Sequence, residues 1–155
     1  MQYIFMLLAV LAMVGLDQWT KFLVVESIPL HSVAEGIPGL FSLTYVQNTG
    51  AAWSSFQGMI WLFVLIFVIF TAFLVFEFIT GKVGFNTFEK WCLIVVYGGA
   101  VGNIIDRIRL GFVVDMINLD FMEFPVFNVA DCFITCGAFT LIAYMLFSQK
   151  WKEKK

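Results

Sequence analysis

The chain is expected to fold as an all-α membrane protein, four transmembrane helices with a small extracytoplasmic β element and a short amphipathic segment. Three observations predict this. Hydrophobic residues make up 61% of the sequence and charged residues 13%, against roughly 45–50% and about 25% in soluble globular chains. Mean hydropathy is +0.93. Four apolar runs, separated by polar or turn-rich stretches, are each long enough to cross a bilayer, which takes about 20 residues. A length of 155 residues leaves room for one integral membrane domain, residues 1–155, and little else.

The first run, about 3–25, begins at Tyr3 without a basic flank or a small-x-small cleavage signal. It is therefore expected to be a retained span rather than a cleaved leader. Its last turns carry Asp17 and Lys21, four residues apart and so on one helical face. The simplest reading is an acid and a base that pair, the lysine stem reaching toward the headgroups.

Residues 26–58 change character: Pro29, Gly36, Pro38 and Gly39 punctuate, then Phe41, Leu43 and Tyr45 alternate with Ser42, Thr44 and Val46. Turn chemistry followed by period-two alternation predicts a half-buried strand lying at the membrane face. The second run, about 59–79, contains no ionisable residue before Glu77, and a polar hinge from Thr80 to Thr87 follows. The third, about 88–105, includes Gly98, Gly99, Ala100 and Gly102, a small-residue stripe that lets a neighbouring helix backbone approach closely. It ends in Asn103, Asp106 and Arg107, which share a face. A second outer loop, 106–128, leads to the fourth run, about 129–148.

Lys82 and Lys90 flank the middle hinge, and the tail from Lys150 to Lys155 is basic. By the bias of Lys and Arg toward cytoplasmic loops, both termini are expected inside and the two long loops outside, although Arg107 and Arg109 vote the other way. A formal net charge of −2 with no long basic tract gives no footing for nucleic acid. Cys92, Cys132 and Cys136 all lie in apolar runs with no histidine near them, so they read as small packing residues, and no metal or cofactor is expected. Trp53 and Trp61 read as part of a lipid-facing aromatic belt.

Two carboxylates stand out. Asp115 closes the run Gly111-Phe-Val-Val-Asp115, and Asp131 closes Phe124-Pro-Val-Phe-Asn-Val-Ala-Asp131, just where the fourth span begins. A carboxylate at the edge of hydrocarbon is costly to keep ionised, which makes both candidates for acid/base work on water. Asn128 and Asp131 fit the N-cap and third position of the fourth helix, where the positive helix end favours an ionised Asp131. A second carboxylate beside it would then tend to keep its proton. The bland reading is a helix cap, or an ion pair of either aspartate with Arg107 or Arg109.

Five ordered stretches, Asp17-Gln-Trp-Thr-Lys21, Asn48-Thr-Gly50-Ala-Ala-Trp, Gly102-Asn103-Ile-Ile-Asp106-Arg107, Val113-Val-Asp115-Met-Ile and Phe127-Asn128-Val-Ala-Asp131, closely resemble the motifs of lipoprotein signal peptidase, also called signal peptidase II. The resemblance covers Asp17 to Gly137. It implies an intramembrane aspartyl protease of the bacterial cytoplasmic membrane that removes the signal peptide from diacylglyceryl-modified prolipoproteins, cutting before the lipidated cysteine. On that match Asp115 and Asp131 are the catalytic dyad. Asn48, Gly50, Asn103, Arg107 and Asn128 line the site and hold substrate, and Asp17, Lys21 and Asp106 support the fold. Expected partners are the diacylated signal peptides, membrane lipids and the cyclic peptide inhibitor globomycin, with the chain acting as a monomer. Cys132 stands where the family more often has serine, and Trp53 where phenylalanine is common.

Two other classes fit the composition. A four-span efflux carrier would exchange protons at Asp17, yet such a carrier needs its charge near the bilayer midplane and short loops. An assembly subunit docking through the glycine stripe would leave both aspartates unexplained.

Overall fold

A computed structural model describes residues 1–50 and 55–152, with side-chain surroundings described through Ser148. Four helices are long and apolar enough to span a membrane: α1 (Gln2–Ser27), α2 (Ile60–Thr80), α3 (Thr87–Leu110) and α4 (Val129–Lys152). Such segments form helices because nothing in hydrocarbon can satisfy an exposed backbone N–H or C=O. Helix α3 continues to Leu110, five residues beyond its expected end, because Asn103, Asp106 and Arg107 find partners inside the protein and do not need water. Its ends are well marked. Asn86 and Glu89 form a reciprocal cap at the start, and Gly111, at φ 81°, takes the left-handed conformation that stops the helix.

Helix α3 lies between α1 and α4, and α2 packs more sparsely against α3. The small-residue stripe makes this possible. A Cβ on Gly98 would meet Met13 of α1, while one on Gly99 or Gly137 would run into backbone of the facing α4 or α3. The outer surface is greasy, with Leu7, Trp61, Ile69 and Phe139 among many exposed apolar side chains, as a lipid-facing surface requires. Trp61 therefore sits as expected, and Trp53 lies outside the described residues.

The expected strand is present but belongs to a larger element. Three antiparallel strands, β1 (Val33–Ile37), β2 (Phe41–Asn48) and β3 (Val113–Leu119), form one sheet in that order. Asp115 is thus on a strand, in the middle of the second outer loop. The run Val113-Val-Asp-Met-Ile supplies the β-branched residues a buried strand favours. Val24 and Ile28 of the α1 end pack with Tyr45, Val114 and Met116 into a small core that fixes the sheet on the helix bundle.

Candidate active site

Asp115 lies opposite Val46 in the β2–β3 register, which puts Asn48, two residues along β2, on the same face. Asn48 Nδ2 donates to Asp115 Oδ2 at 2.9 Å. The amide is held the right way round because its oxygen accepts the Gly50 N–H at 2.9 Å. A side chain at position 50 would collide with the backbone of Ser55, so glycine is required there by close approach. The Gly50 carbonyl in turn accepts from Arg107 Nη2 at 2.9 Å, and the guanidinium lies over Phe63, 4.3 Å from the ring centroid.

Asp131 occupies the first turn of α4. Asn128 caps that helix as expected: its Oδ1 accepts the Asp131 N–H at 3.0 Å, and the Asn128 N–H donates back to Asp131 Oδ2 at 3.2 Å. The fully buried Asn128 also donates through Nδ2 to Asp115 Oδ1 at 2.6 Å, so one asparagine links both carboxylates. Asn103 completes the bridge, donating to Asp131 Oδ1 at 2.7 Å. No ion pair joins either aspartate to Arg107 or Arg109 among the described residues, so that half of the bland reading lacks its bond, whereas the helix-cap half holds for Asp131.

Only 2% of Asp115 is exposed, and its carboxyl is pushed up from 3.8 to about 6. Burial is the main cause. The hydrogen bond from Asn48 pulls the other way, and the nearby Asp131 charge raises it further. Near neutral pH this site can therefore hold and release a proton.

Both carboxylates face one cavity of about 660 Å³ between α2, α3, α4 and residues 124–127. Its walls are mostly apolar, with Phe63, Phe67, Phe70, Ile104, Cys132 and Ile134, and its polar end carries Asn48, Asn103, Arg107, Asp115 and Asp131. Gly50 and Asn128 stand one step back and act by orienting those neighbours. A second, more polar hollow of about 1010 Å³, bounded by β2 and residues 118–126, also touches Asp115 and Asn48. The two hollows meet at Asn48 and Asp115, one mostly apolar and one more polar, while Asp131 lines the apolar one.

Behind the site, Asp17, Lys21 and Asp106 form a buried cluster. Lys21 Nζ lies 2.9 Å from both Asp17 Oδ2 and Asp106 Oδ2, and 3.0 Å from Asn103 Oδ1. The lysine therefore does not reach toward the headgroups, as its place near the helix end suggested; two carboxylates hold it inside. Asp17 Oδ1 accepts the Ala130 N–H, tying α1 to the free donors at the start of α4. Asp106 accepts from the Val114 N–H at 3.2 Å and so anchors β3 to α3. Every buried side-chain nitrogen and oxygen among the described residues has a partner. In an apolar setting an unpaired one costs several kcal/mol.

Two contributors escaped the sequence reading. Gln18 donates to Asp106 at 2.8 Å, and Phe63 carries Arg107. Gln18 lies within the Asp17–Lys21 motif, which was the available signal; Phe63 lay hidden in an aromatic-rich run.

Fold and site together define a multi-pass membrane protein whose polar centre opens into a mostly apolar cavity. A family model described as Signal peptidase (SPase) II matches residues 9–147. The lipoprotein signal peptidase of Streptococcus thermophilus is 43% identical over 151 residues, covering 94% of this chain and 92% of that protein. The one from Enterococcus faecalis is 44% identical over 138 residues, covering 89% and 85%. A solved bacterial membrane enzyme, determined in meso at 2.3 Å, superposes with a TM-score of 0.87 at 32% identity, covering 97% of this chain and 92% of that one. The chain belongs to the signal peptidase II family, proteases that cleave signal peptides from prolipoproteins.

Proposed function

We propose that this protein is an aspartyl endopeptidase that removes the signal peptide from diacylglyceryl-modified prolipoproteins, cutting just before the lipidated cysteine with water activated by Asp115 and Asp131. The observation that carries this reading is the pair of carboxylates, one from β3 and one from α4, linked through Asn128 and opening on one cavity. The greasy walls suit an apolar signal segment and acyl chains. In this reading Asn48, Asn103 and Arg107, which line the polar end of the cavity, hold the peptide backbone.

The chemistry uses one proton shared by two acids. The ionised carboxylate takes a proton from water as the water oxygen bonds to the scissile carbonyl carbon, and the protonated carboxyl gives its proton to the carbonyl oxygen. The product is a gem-diol. The newly ionised carboxylate then takes back one diol proton, the C–N bond breaks, and the other carboxyl protonates the departing nitrogen. A carboxylic acid and an amine leave, and the dyad returns to its starting state with no cofactor or metal consumed. Asp17, Lys21 and Asp106 support the fold in this scheme, and Asp17, whose oxygens are taken by Lys21 and the Ala130 N–H, is poorly placed for a carrier's proton exchange.

In the same reading the enzyme is a monomer of the bacterial cytoplasmic membrane, with both termini cytoplasmic and the site at the outer face. Lys82 and Lys90 at the α2–α3 hinge support that orientation. Globomycin is expected to occupy the cavity and block the dyad. Purified protein is expected to cut a diacylglyceryl lipobox peptide immediately before its cysteine, to ignore the unmodified peptide, and to stop when globomycin is added. Equal cleavage of the unmodified peptide, or cutting elsewhere, would remove this assignment.

A further inference from the structure

The two carboxylates are not held alike. Lys21 has all three ammonium donors in use, on Asp17, Asp106 and the side-chain oxygen of Asn103. An ammonium can only donate, so the Asn103 atom that faces it must be the carbonyl oxygen, and the NH₂ of that planar amide is turned the other way. It lands on Asp131 Oδ1. Asn128 Nδ2 gives the same Asn103 oxygen a second bond at 3.1 Å, further fixing the amide. Asp131 thus receives an amide polarised by a cation, plus a backbone N–H at a helix N-terminus. Among the described residues, Asp115 receives two neutral side-chain amides, one oriented by the Gly50 N–H.

We propose that Lys21 is a positioning residue for the reaction: through Asn103 it keeps Asp131 an acceptor, making Asp131 the base that activates water and Asp115 the acid that protonates the carbonyl. This rests on the dyad reading above. The charged groups around this chain are Asp17 from α1, Asp106 and Arg107 from α3, Asp115 from β3 and Asp131 from α4, with Arg109 further out on Gln18. Asp17, Lys21 and Asp106 together carry one net negative charge if ionised. Lys21 therefore acts on Asp131 in two ways, through the Asn103 bond and as a nearby positive charge, and a substitution that holds the cluster's net charge constant isolates the first.

That separation gives the test. The double substitution Lys21→Met with Asp106→Asn leaves the cluster's net charge unchanged while releasing Asn103. We expect kcat on the lipidated peptide to drop about tenfold or more, with KM within about twofold. The acidic limb of the kcat profile is expected to move to higher pH, because Asp131 loses a donor that favours its ionised form. A folded double variant with wild-type kcat and an unmoved acidic limb would overturn the proposal. Should that variant not fold, infrared spectra of the otherwise unaltered protein decide. The protonated-carboxyl band that titrates near neutral pH is expected to vanish in Asp115→Asn and persist in Asp131→Asn, and the reverse pattern would overturn the assignment. Full cleavage by both Asn variants would instead sink the dyad itself, a separable outcome.

Discussion

Asp115→Asn should make the protein more stable while it destroys the proposed chemistry. The folded chain raises this carboxyl from 3.8 to about 6, so it binds that proton more tightly than the unfolded chain does. Wild-type stability accordingly falls as pH climbs from about 4 to about 6, and stays reduced above that. At about 1.4 kcal/mol for each tenfold change in proton affinity, the cost at neutral pH is about 3 kcal/mol. Asparagine carries no such cost. It does lose one acceptor, since Asn48 and Asn128 both donate into this side chain, and one lost hydrogen bond is worth about 1 kcal/mol. The variant is expected to be more stable by about 2 kcal/mol at pH 7, with the advantage shrinking and then reversing toward pH 4. Unfolding in detergent micelles across that pH range, followed by circular dichroism, measures the difference directly. A gap that does not change with pH would refute the reasoning, and so would a wild type that gains on the variant as pH rises.

Other consequences follow from residues remote from the carboxylates. Glu77 is fully buried at the opposite end of the bundle, accepting the Val83 and Phe85 N–H groups and facing Lys90 at 3.6 Å. Glu77→Gln is expected to cost about 1–3 kcal/mol in the same unfolding assay and to leave the cleavage rate per folded molecule unchanged. In Gly99→Ala the new methyl would press on the Ala130 carbonyl and on Ile134. That should displace α4, cost about 1–3 kcal/mol and lower kcat, because the same turn carries Asp131. Gly15→Ala meets nothing within 4 Å and is expected to stabilise α1 by up to about 1 kcal/mol with no change in cleavage.

Much of this was legible because membrane helices announce themselves by length and apolarity. The four spans could be located within a few residues, and the pairing of Asp17 with Lys21 followed from their spacing. Asn128 as the cap of α4 was readable for a similarly local reason. What local pattern could not supply was pairing across the chain. Strand β3 is a short run inside a loop, and only its register with β2 puts Asn48 beside Asp115. The burial of Lys21 depends on Asp106, 85 residues away, which offers a second carboxylate in place of the headgroups expected from its position near the helix end. Asn128 illustrates the limit best: its cap was visible, but its bond to Asp115 needed α4 and β3 to be brought together.

Replacing Asp115 and Asp131 one at a time by asparagine asks whether both acids are needed for cleavage, with release of the signal segment from a diacylglyceryl peptide as the readout and folding checked in parallel. Each single variant is expected to stay folded and to lose cleavage by at least about a thousandfold, since neither acid can do the other's half of the proton transfer. Near-normal turnover by either folded variant would contradict the account.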